Sequence, residues 1–213
     1  MKKITVGVDV GGTNIKLGLV DPHGTILVRS RLNTKSYILD KKKLIAAMSQ
    51  AIAQLLKSFG VGASAVKGIG VGLPGLVDPL RGVVIFLPNI PGWKNVSLKS
   101  CLEKDLGIPA FLENDVNMIT LGEWKFGAGK GAADMVGMTL GTGVGAGLIL
   151  NGALYRGPGF VAGELGHVPL NLKGPKCNCP SFACLETYVG NRRLEERAAK
   201  IFRKQIALEE IFE

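Results

Sequence analysis

The stretch DVGGTNIKLGLVD, Asp9–Asp21, decides the fold of this 213-residue chain. The apolar run at residues 4–9 predicts a buried strand that leads into it, and residues 15–20 predict a second strand. Because the glycine pair at 11–12 stands between them, the stretch predicts a hairpin whose turn lets backbone N–H groups approach an anion closely. Asp9 ends the first strand, where a carboxylate can bind Mg2+ through water. An ordinary Gly-Gly hairpin with a capping aspartate is the alternative interpretation.

A second succession of strand, glycine loop and strand follows at residues 135–150, with the loop GTGVGAG at residues 141–147. This segment repeats the architecture of the first hairpin, although its residues differ. Two such hairpins that face each other across a cleft would suit the phosphates of a nucleoside triphosphate. A Walker A motif is excluded, because Gly129-Lys130 is followed by Gly131 and not by Ser or Thr.

Three of the four cysteines and one of the two histidines lie close together in the sequence: His167, Cys177, Cys179 and Cys184. Thiolates and a neutral imidazole at this spacing predict a tetrahedral Cys3His zinc site. A disulfide is a weaker interpretation, because one cysteine would stay unpaired and Cys177 and Cys179 are too close in sequence to bridge easily. Small buried thiols without a metal are the remaining interpretation. Glu164 and Glu186 flank the cluster, and a structural metal there would orient them toward a polar ligand.

A further pair of carboxylates lies between a predicted strand and a predicted helix. Residues 108–112 predict the strand, which ends in Glu113-Asn114-Asp115, and residues 116–126 predict the helix. Carboxylates at this kind of junction lie where α/β active sites form. Capping of the helix by Asn114 or Asp115 is the alternative interpretation.

Two glycine- and proline-rich loops lie between the hairpins. Residues 70–75, GVGLPG, match GxGxxG formally, but that motif must open a helix, and Pro79 and Gly82 follow instead. A glycine-rich loop beneath a sugar fits this stretch better. Residues 88–93, PNIPGW, form a rigid loop that can hold the Asn89 amide in a fixed place. The alternative is a turn amide that bonds its own backbone.

These motifs together resemble the signature of the ROK family, which comprises repressors, open-reading-frame proteins and sugar kinases. The resemblance covers nearly the whole chain and rests on DVGGTN, GLPGLVD, PNIPGW, ENDVN, GELGH and CxC-x4-C-LE. Family members usually carry glycines where this chain has Pro180 and Ala183. Because proline fixes its own φ and alanine disfavours a positive φ, we expect the loop between Cys179 and Cys184 to turn differently.

The resemblance implies an α/β protein with the two-lobed ribonuclease H-like, actin-like ATPase fold. The first lobe would comprise residues 1–112 and the second, incomplete lobe residues 113–213. The implied activity is the ATP-dependent phosphorylation of a hexose at its 6-hydroxyl, most like that of a glucokinase. Mg2+ would accompany ATP, and Zn2+ would be structural. The resemblance further implies a cytoplasmic protein that is a possible homodimer.

The resemblance also implies three groups of site residues, with Asp115 as the general base. The sugar would contact Gly75, Asn89, Asn114, Asp115, Glu164, His167 and Glu186. The phosphates of ATP, with their Mg2+, would contact Asp9, Gly11, Gly12, Thr13, Asn14, Lys16, Gly141, Thr142, Gly143 and Gly145. The metal ligands would be His167, Cys177, Cys179 and Cys184, with the second ring nitrogen of the histidine left for the sugar.

Composition favours a globular protein, because 46% of the residues are hydrophobic and only 20% are charged. No apolar run reaches the ~18 residues that span a bilayer, and the start does not read as a signal peptide, so we expect no membrane partner. The net charge is +9. Lysines and arginines are scattered, which predicts no nucleic acid partner, and a polyanionic small ligand such as a nucleotide explains the charge as well.

Two other functions compete with the kinase. ROK repressors carry a winged helix-turn-helix before the first hairpin, and only three residues precede Ile4 here, which disfavours a repressor. The length of this chain favours a sugar-binding protein without catalysis. Family members are longer, and their additional segment completes the second lobe and the adenosine site. We therefore expect these 213 residues by themselves to have negligible kinase activity, as a fragment of a longer kinase or as a non-catalytic protein. Glucose, N-acetylglucosamine, N-acetylmannosamine, mannose and fructose all stay open as the sugar.

Overall fold

A computed structural model describes residues 4–211 of the chain. The chain forms two compact units that divide between Lys130 and Gly131. The first unit contains, in order, β1 (Ile4–Val10), β2 (Asn14–Val20), β3 (Ile26–Asn33), α1 (Lys41–Ser58), β4 (Val66–Leu73), β5 (Leu76–Asp78), β6 (Val83–Phe86), β7 (Lys94–Val96), α2 (Leu98–Leu106), β8 (Ala110–Asn114) and α3 (Asp115–Phe126). The second contains β9 (Met135–Leu140), β10 (Val144–Leu150), β11 (Ala153–Tyr155), α4 (Glu186–Val189), α5 (Asn191–Phe202) and α6 (Leu208–Ile211).

The first unit is built on a five-stranded mixed sheet in the order β3-β2-β1-β4-β8. The strands β1, β2 and β3 are antiparallel, whereas β4 pairs with β1, and β8 with β4, in parallel. Along β1 every second residue is buried, so Val6 and Val8 enter the core while Asp9 lies on the opposite face. This alternation places the Asp9 carboxylate outside the core, although the last residue of β1, Val10, is buried.

The helix α1 covers the core face of this sheet. Its buried residues Leu44, Met48 and Ile52 recur at intervals of four and therefore lie on one face. Asp40 caps its start, because its side chain accepts hydrogen bonds from the backbone N–H groups of the second and third helical residues, at 3.0 and 3.2 Å. The Ser49 hydroxyl donates a 2.7 Å hydrogen bond to a carboxylate oxygen in α2. The two helices are thus held together by a polar contact as well as by apolar packing.

The helix α3 packs on the other face of the same sheet, against β4 and β8. Gly70 and Gly72 leave room for it, since a Cβ at Gly70 would lie 3.1 Å from the terminal carbon of Met118. The sequence prediction begins the second lobe at residue 113. The structure differs, because packing on β4 and β8 makes α3 part of the first unit.

The second unit contains an antiparallel sheet in the order β11-β10-β9. The sequence predicts one helix over residues 186–200, but the structure divides it into α4 and α5 at Gly190, whose ψ of 144° is extended. The break has a tertiary cause, because the backbone N–H of Asn191 donates to the carbonyl oxygen of Gly141 at 2.9 Å. Among residues 4–211, no helix is long and apolar enough to cross a membrane.

Replacing Leu44 by Ala should lower the free energy of unfolding by about 2–5 kcal/mol, since its side chain is fully buried and truncation leaves a cavity. Leu39→Ala is the matched control, because Leu39 is 90% exposed and its truncation should change stability by less than about 0.5 kcal/mol. Denaturant titration measures both values. Equal losses in the two variants would contradict the assignment of the α1 core.

Candidate functional site

The turn between β1 and β2 is fixed by its own backbone and by a residue from farther along the chain. The N–H of Gly11 donates to the carbonyl oxygen of Asn14 at 3.0 Å, and a Cβ at Gly11 would lie 2.8 Å from that oxygen. The hydroxyl of the buried Thr34 donates to the carbonyl oxygen of Gly11 at 2.7 Å, and its N–H donates to that of Thr13 at 3.0 Å. The sequence analysis missed Thr34, because nothing local marks a threonine just after β3 as a turn anchor.

Asp9 and Lys16 lie opposite each other on β1 and β2. The lysine Nζ is 3.5 Å from a carboxylate oxygen of Asp9, and both side chains are largely exposed. An exposed ion pair of this kind contributes ~0–1 kcal/mol to stability. The pair is therefore better placed to contact a charged ligand than to stabilise the fold.

At the junction of β8 and α3, the hydrogen bonds show which residue caps the helix. The Asn114 Oδ1 accepts hydrogen bonds from the N–H groups of Val116 and Asn117, at 2.9 and 3.1 Å, so Asn114 is the N-cap of α3. Its Nδ2 donates to the carbonyl oxygen of Gly75 at 3.3 Å. Glu113 is buried and accepts from the Asn114 N–H and the Asn117 side-chain amide. Asn114 is thus the capping residue, while Asp115 accepts a hydrogen bond from the Val116 N–H at 2.9 Å.

Asp115 is partly buried at the first position of α3. Burial raises the pKa of its carboxyl group above its ordinary value, and the negative charge of Asp9 adds to the rise, against a hydrogen bond from the Val116 N–H. Asp9, Lys16, Gly72 and Asp115 line one pocket of ≈ 450 Å³ in the first unit. The structure therefore brings the predicted base together with two predicted phosphate-site residues.

The two loops assigned to the sugar are held by the first unit. Gly75 has a φ of 112°, and a Cβ there would lie 2.5 Å from the carbonyl oxygen of Phe86, so only glycine fits. Asn89 is exposed, and its Cβ lies 3.5 Å from the position that a Cβ of Gly12 would take. Ile90 and Trp93, each 1% exposed, anchor its loop in the core. Gly75 thus meets Asn114, while Asn89 lies beside the first glycine hairpin.

The second glycine hairpin is tied to Glu186. One carboxylate oxygen of this residue accepts a 3.0 Å hydrogen bond from the N–H of Val144. A Cβ at Gly143 would lie 2.6 Å from the same oxygen, so a side chain there would displace the Glu186 carboxylate. The N–H of Gly141 donates to the carbonyl oxygen of Gly143 at 3.0 Å. The family resemblance assigns Glu186 to the sugar, and the structure shows that this residue also holds the loop through a hydrogen bond.

The Cys3His cluster assembles as the sequence predicts. All four ligand atoms of His167, Cys177, Cys179 and Cys184 lie within 4.8 Å of one another. The sulfurs of Cys179 and Cys184 are 3.7 Å apart, and the Cys177 sulfur is 3.6 Å from the His167 Nδ1. Two sulfurs on one tetrahedral ion would be about 3.8 Å apart, and a sulfur and a nitrogen about 3.6 Å. These two distances fit a tetrahedral ion, and the four residues are close enough together to hold a metal.

The two ring nitrogens of His167 face different groups. Its Nδ1 faces the cluster, and its Nε2 lies 4.0 Å from a carboxylate oxygen of Glu164. Burial raises the pKa of Cys184 to about 11, with further increases from its hydrogen bonds to Cys179 and Cys177. A bound cation would offset this cost of the thiolate form, because metal ligation requires deprotonated cysteines.

The loop between Cys179 and Cys184 contains the two departures from the family pattern. Ala183 is buried and adopts a φ of 55°, the left-handed conformation that glycine takes readily. Its N–H donates to the carbonyl oxygen of Pro175 at 2.8 Å. Alanine at this position therefore does not prevent the left-handed turn that the sequence analysis expected it to disfavour.

A mixed sheet with a glycine hairpin, followed by a second glycine-hairpin sheet, defines an α/β protein of the actin-like ATPase class. The sequence profile of the ROK family matches residues 5–213, and the chain belongs to the ROK family. The glucokinase of Thermotoga maritima is 41% identical over 181 residues, which cover 85% of this chain and 55% of the relative. The xylose repressor of Bacillus subtilis is 36% identical over 193 residues, which cover 89% of this chain and 48% of the relative.

Solved structures agree with this membership. A ROK family glucokinase from Streptomyces griseus, in complex with glucose and AMPPNP, has a TM-score of 0.78 at 37% identity. The match covers 94% of this chain and 62% of that one. The chain spans about half the length of the curated relatives it matches. This partial coverage agrees with the prediction that the second lobe lacks part of its family counterpart.

Replacing Asp115 by Asn should leave stability unchanged or raise it at neutral pH. The raised pKa means that the folded chain binds this proton more tightly than the unfolded chain, so the wild-type charge opposes folding once the pH exceeds the ordinary pKa. The difference between variant and wild type should vanish at lower pH, where the carboxyl is protonated in both states. Denaturant titration over a pH series measures this, with Asp78→Asn as the control. A variant that is less stable at pH 7 by more than about 1 kcal/mol would contradict the interpretation.

Proposed function

We propose that the protein is an ATP-dependent kinase that phosphorylates a hexose at its 6-hydroxyl, with glucose as the first candidate. The observation that supports this most is the position of Asp115, whose carboxyl has a raised pKa and shares a pocket with Asp9 and Lys16. A carboxylate with a raised pKa accepts a proton more readily at neutral pH. Similarity to glucokinases over most of the chain supports the same reaction class.

In this proposal Asp115 accepts the proton of the sugar hydroxyl while the bond between that oxygen and the γ-phosphorus of ATP forms. The bond from the γ-phosphorus to the bridging oxygen breaks, and ADP leaves with that oxygen. The backbone N–H groups of the two glycine hairpins stabilise the charge on the phosphate oxygens. Asp9 would hold Mg2+ through water, and the ion would supply further charge neutralisation. Lys16, beside Asp9, adds a positive charge at the same edge of the sheet.

The sugar would be held by side chains from several loops. Asn114 and Gly75 are already joined by a hydrogen bond, so they would present a preorganised surface to the sugar. Glu164 faces the Nε2 of His167, and this pair would contact sugar hydroxyls while the other ring nitrogen binds a metal. Glu186 and Asn89 complete the proposed sugar ligands. The similar glucokinase from Streptomyces griseus was solved together with glucose and AMPPNP, which supports the choice of substrates.

We also propose that the Cys3His cluster binds Zn2+ in a structural role. Four protein ligands would fill a tetrahedral coordination shell and leave no open position for a substrate, which is typical of structural zinc. The ion would hold the loop that carries His167 and lies next to Glu186.

A sugar-responsive regulator is the second candidate, because a xylose repressor matches 89% of the chain. Such a protein would bind a sugar without transferring a phosphoryl group. The cytoplasmic location and the homodimer stay predictions from the sequence.

Replacing Asp115 by Asn should lower turnover by about 10²–10⁴-fold, the usual contribution of a general base, while sugar affinity changes less. Coupled ADP release by the whole protein, with any flanking chain that its gene encodes, measures turnover for glucose, N-acetylglucosamine, N-acetylmannosamine, mannose and fructose. Asp78→Asn is the control and should keep wild-type turnover. Near-normal turnover in the Asp115 variant would remove this residue from the role. Sugar binding without any turnover in the wild type would favour the regulator.

Elemental analysis of the purified protein should find about one zinc per chain. Cys184→Ser should remove most of the metal and lower the Tm. The reason is that the metal binds the folded site and not the unfolded chain, so its binding free energy stabilises the fold. Cys101 lies outside the cluster, so Cys101→Ser should keep the metal. A folded protein without a bound transition metal, or equal metal loss in both variants, would contradict the proposal.

A further inference from the structure

The turn of the first glycine hairpin holds two backbone donors that the protein itself does not use. Within the described residues, the N–H groups of Gly12 and Thr13 form no hydrogen bond. Gly12 is half-buried and Thr13 is exposed, so both can meet a ligand. Free backbone N–H groups in a turn bind anions, and these two belong to the hairpin that the proposed function assigns to phosphate.

The direction of these donors depends on Thr34, which follows β3. Its hydroxyl donates to the carbonyl oxygen of Gly11 at 2.7 Å, and its backbone N–H donates to the carbonyl oxygen of Thr13 at 3.0 Å. In a planar trans peptide group the C=O and the N–H point in opposite directions. Since the Gly11 carbonyl points to Thr34, the N–H of Gly12 points away from it. The next peptide group, with the Thr13 N–H, lies between two that Thr34 fixes.

An external anchor matters at this place because the peptide group in question joins two glycines. Without a Cβ on either side, the group between Gly11 and Gly12 can rotate with little steric cost. Its orientation therefore depends on the bond that its carbonyl oxygen accepts. Thr34 is 0% exposed, so no solvent molecule is at hand to take over from its hydroxyl.

Thr34 is itself held firmly enough to act as an anchor. It opens a short 3₁₀ helix, Thr34–Ser36, and its carbonyl oxygen accepts from the Tyr37 N–H at 3.0 Å. The Asn33 side chain caps this helix by accepting from the Lys35 N–H at 2.9 Å. The pairing of β3 with β2 extends to Asn33, directly before the threonine. The hydroxyl is thus fixed by β3 on one side and by the 3₁₀ helix on the other.

We propose that Thr34 is a positioning residue for the phosphoryl donor. Its hydroxyl holds the peptide group between Gly11 and Gly12 so that the Gly12 N–H faces a phosphate oxygen of ATP. Thr34 does not touch the nucleotide, because it is fully buried. The proposal rests on the proposed function, since it takes the first glycine hairpin as a phosphate loop. Loss of the hydroxyl should therefore impair the use of ATP and leave the contacts to the hexose nearly unchanged.

The test compares variants that separate the hydroxyl of Thr34 from its shape. Thr34→Val keeps the shape and removes the donor, and Thr34→Ser keeps the donor. Thr120→Val is the matched control, because Thr120 is also fully buried and its hydroxyl has no hydrogen-bond partner in the described part of the chain. Coupled ADP release by the whole protein gives kcat and separate KM values for ATP and hexose. Isothermal titration calorimetry measures the binding of ATP with Mg2+.

We expect Thr34→Val to lower kcat/KM for ATP at least about tenfold, or ~1.4 kcal/mol, while KM for the hexose changes less than about threefold. A donor that is misdirected loses a hydrogen bond to a charged oxygen, which is stronger than a neutral one. Thr34→Ser should restore kcat/KM for ATP to within about threefold of the wild type, and Thr120→Val should stay within the same range. ATP affinity should follow the same order.

Thermal unfolding shows which variants are folded. If Thr34→Val does not fold, Thr34→Cys replaces it, since a thiol is a weaker donor and should give a smaller loss in the same parameter. A purely structural role of Thr34 predicts a lower Tm with unchanged ATP kinetics in the folded variant. That outcome would overturn the proposal, and so would equal losses for ATP and hexose, or a folded Thr34→Ser variant as impaired as Thr34→Val.

The design separates this proposal from the proposed function. A wild-type protein that phosphorylates no hexose would reject the kinase, and ATP calorimetry on the same variants would still test Thr34. An active wild type whose ATP affinity and kinetics survive Thr34→Val would reject the positioning role and leave the kinase intact.

Discussion

The side-chain amide of Asn114 constrains the candidate catalytic end of the first unit. The first N–H groups of a helix have no partner within the helix, and the Asn114 Oδ1 accepts two of them in α3. Its Nδ2 is thereby directed to the carbonyl oxygen of Gly75. One residue thus fixes both the start of the helix that carries Asp115 and the glycine loop beside it. Since Asn114 provides the cap, Asp115 can carry a different function.

Asp115 lies where its negative charge is unfavourable, since its pKa is raised above the ordinary value. Burial and a neighbouring carboxylate both oppose the charged form of Asp115, and neither contributes to stability. Groups with perturbed pKa values that line a pocket are typical of functional sites. The first unit therefore has α1 packed on one face of its sheet, and the pocket lined by Asp115 on the other side is the candidate site.

In the second unit, backbone contacts tie three segments together. Gly166 lies directly against the carbonyl oxygen of Val144, where any Cβ would collide, so the segment that carries His167 is packed on β10. Glu186 bonds the other end of this segment to the hairpin through the Val144 N–H. The N-terminus of α5 adds a bond to Gly141. A metal in the Cys3His cluster would therefore stabilise the hairpin and the start of α5 as well as its own loop.

Local periodicity and spacing are enough to predict the two glycine hairpins, the Cys3His cluster and the aspartate at the start of α3. The tertiary structure decided which residue caps α3, the anchoring of the turn by Thr34, and the break at Gly190. It also placed α3 in the first unit. Each of these depends on contacts between residues far apart in the chain. Local patterns cannot specify such contacts, because one residue type can bond to several different partners. Only the folded chain brings one particular partner within reach.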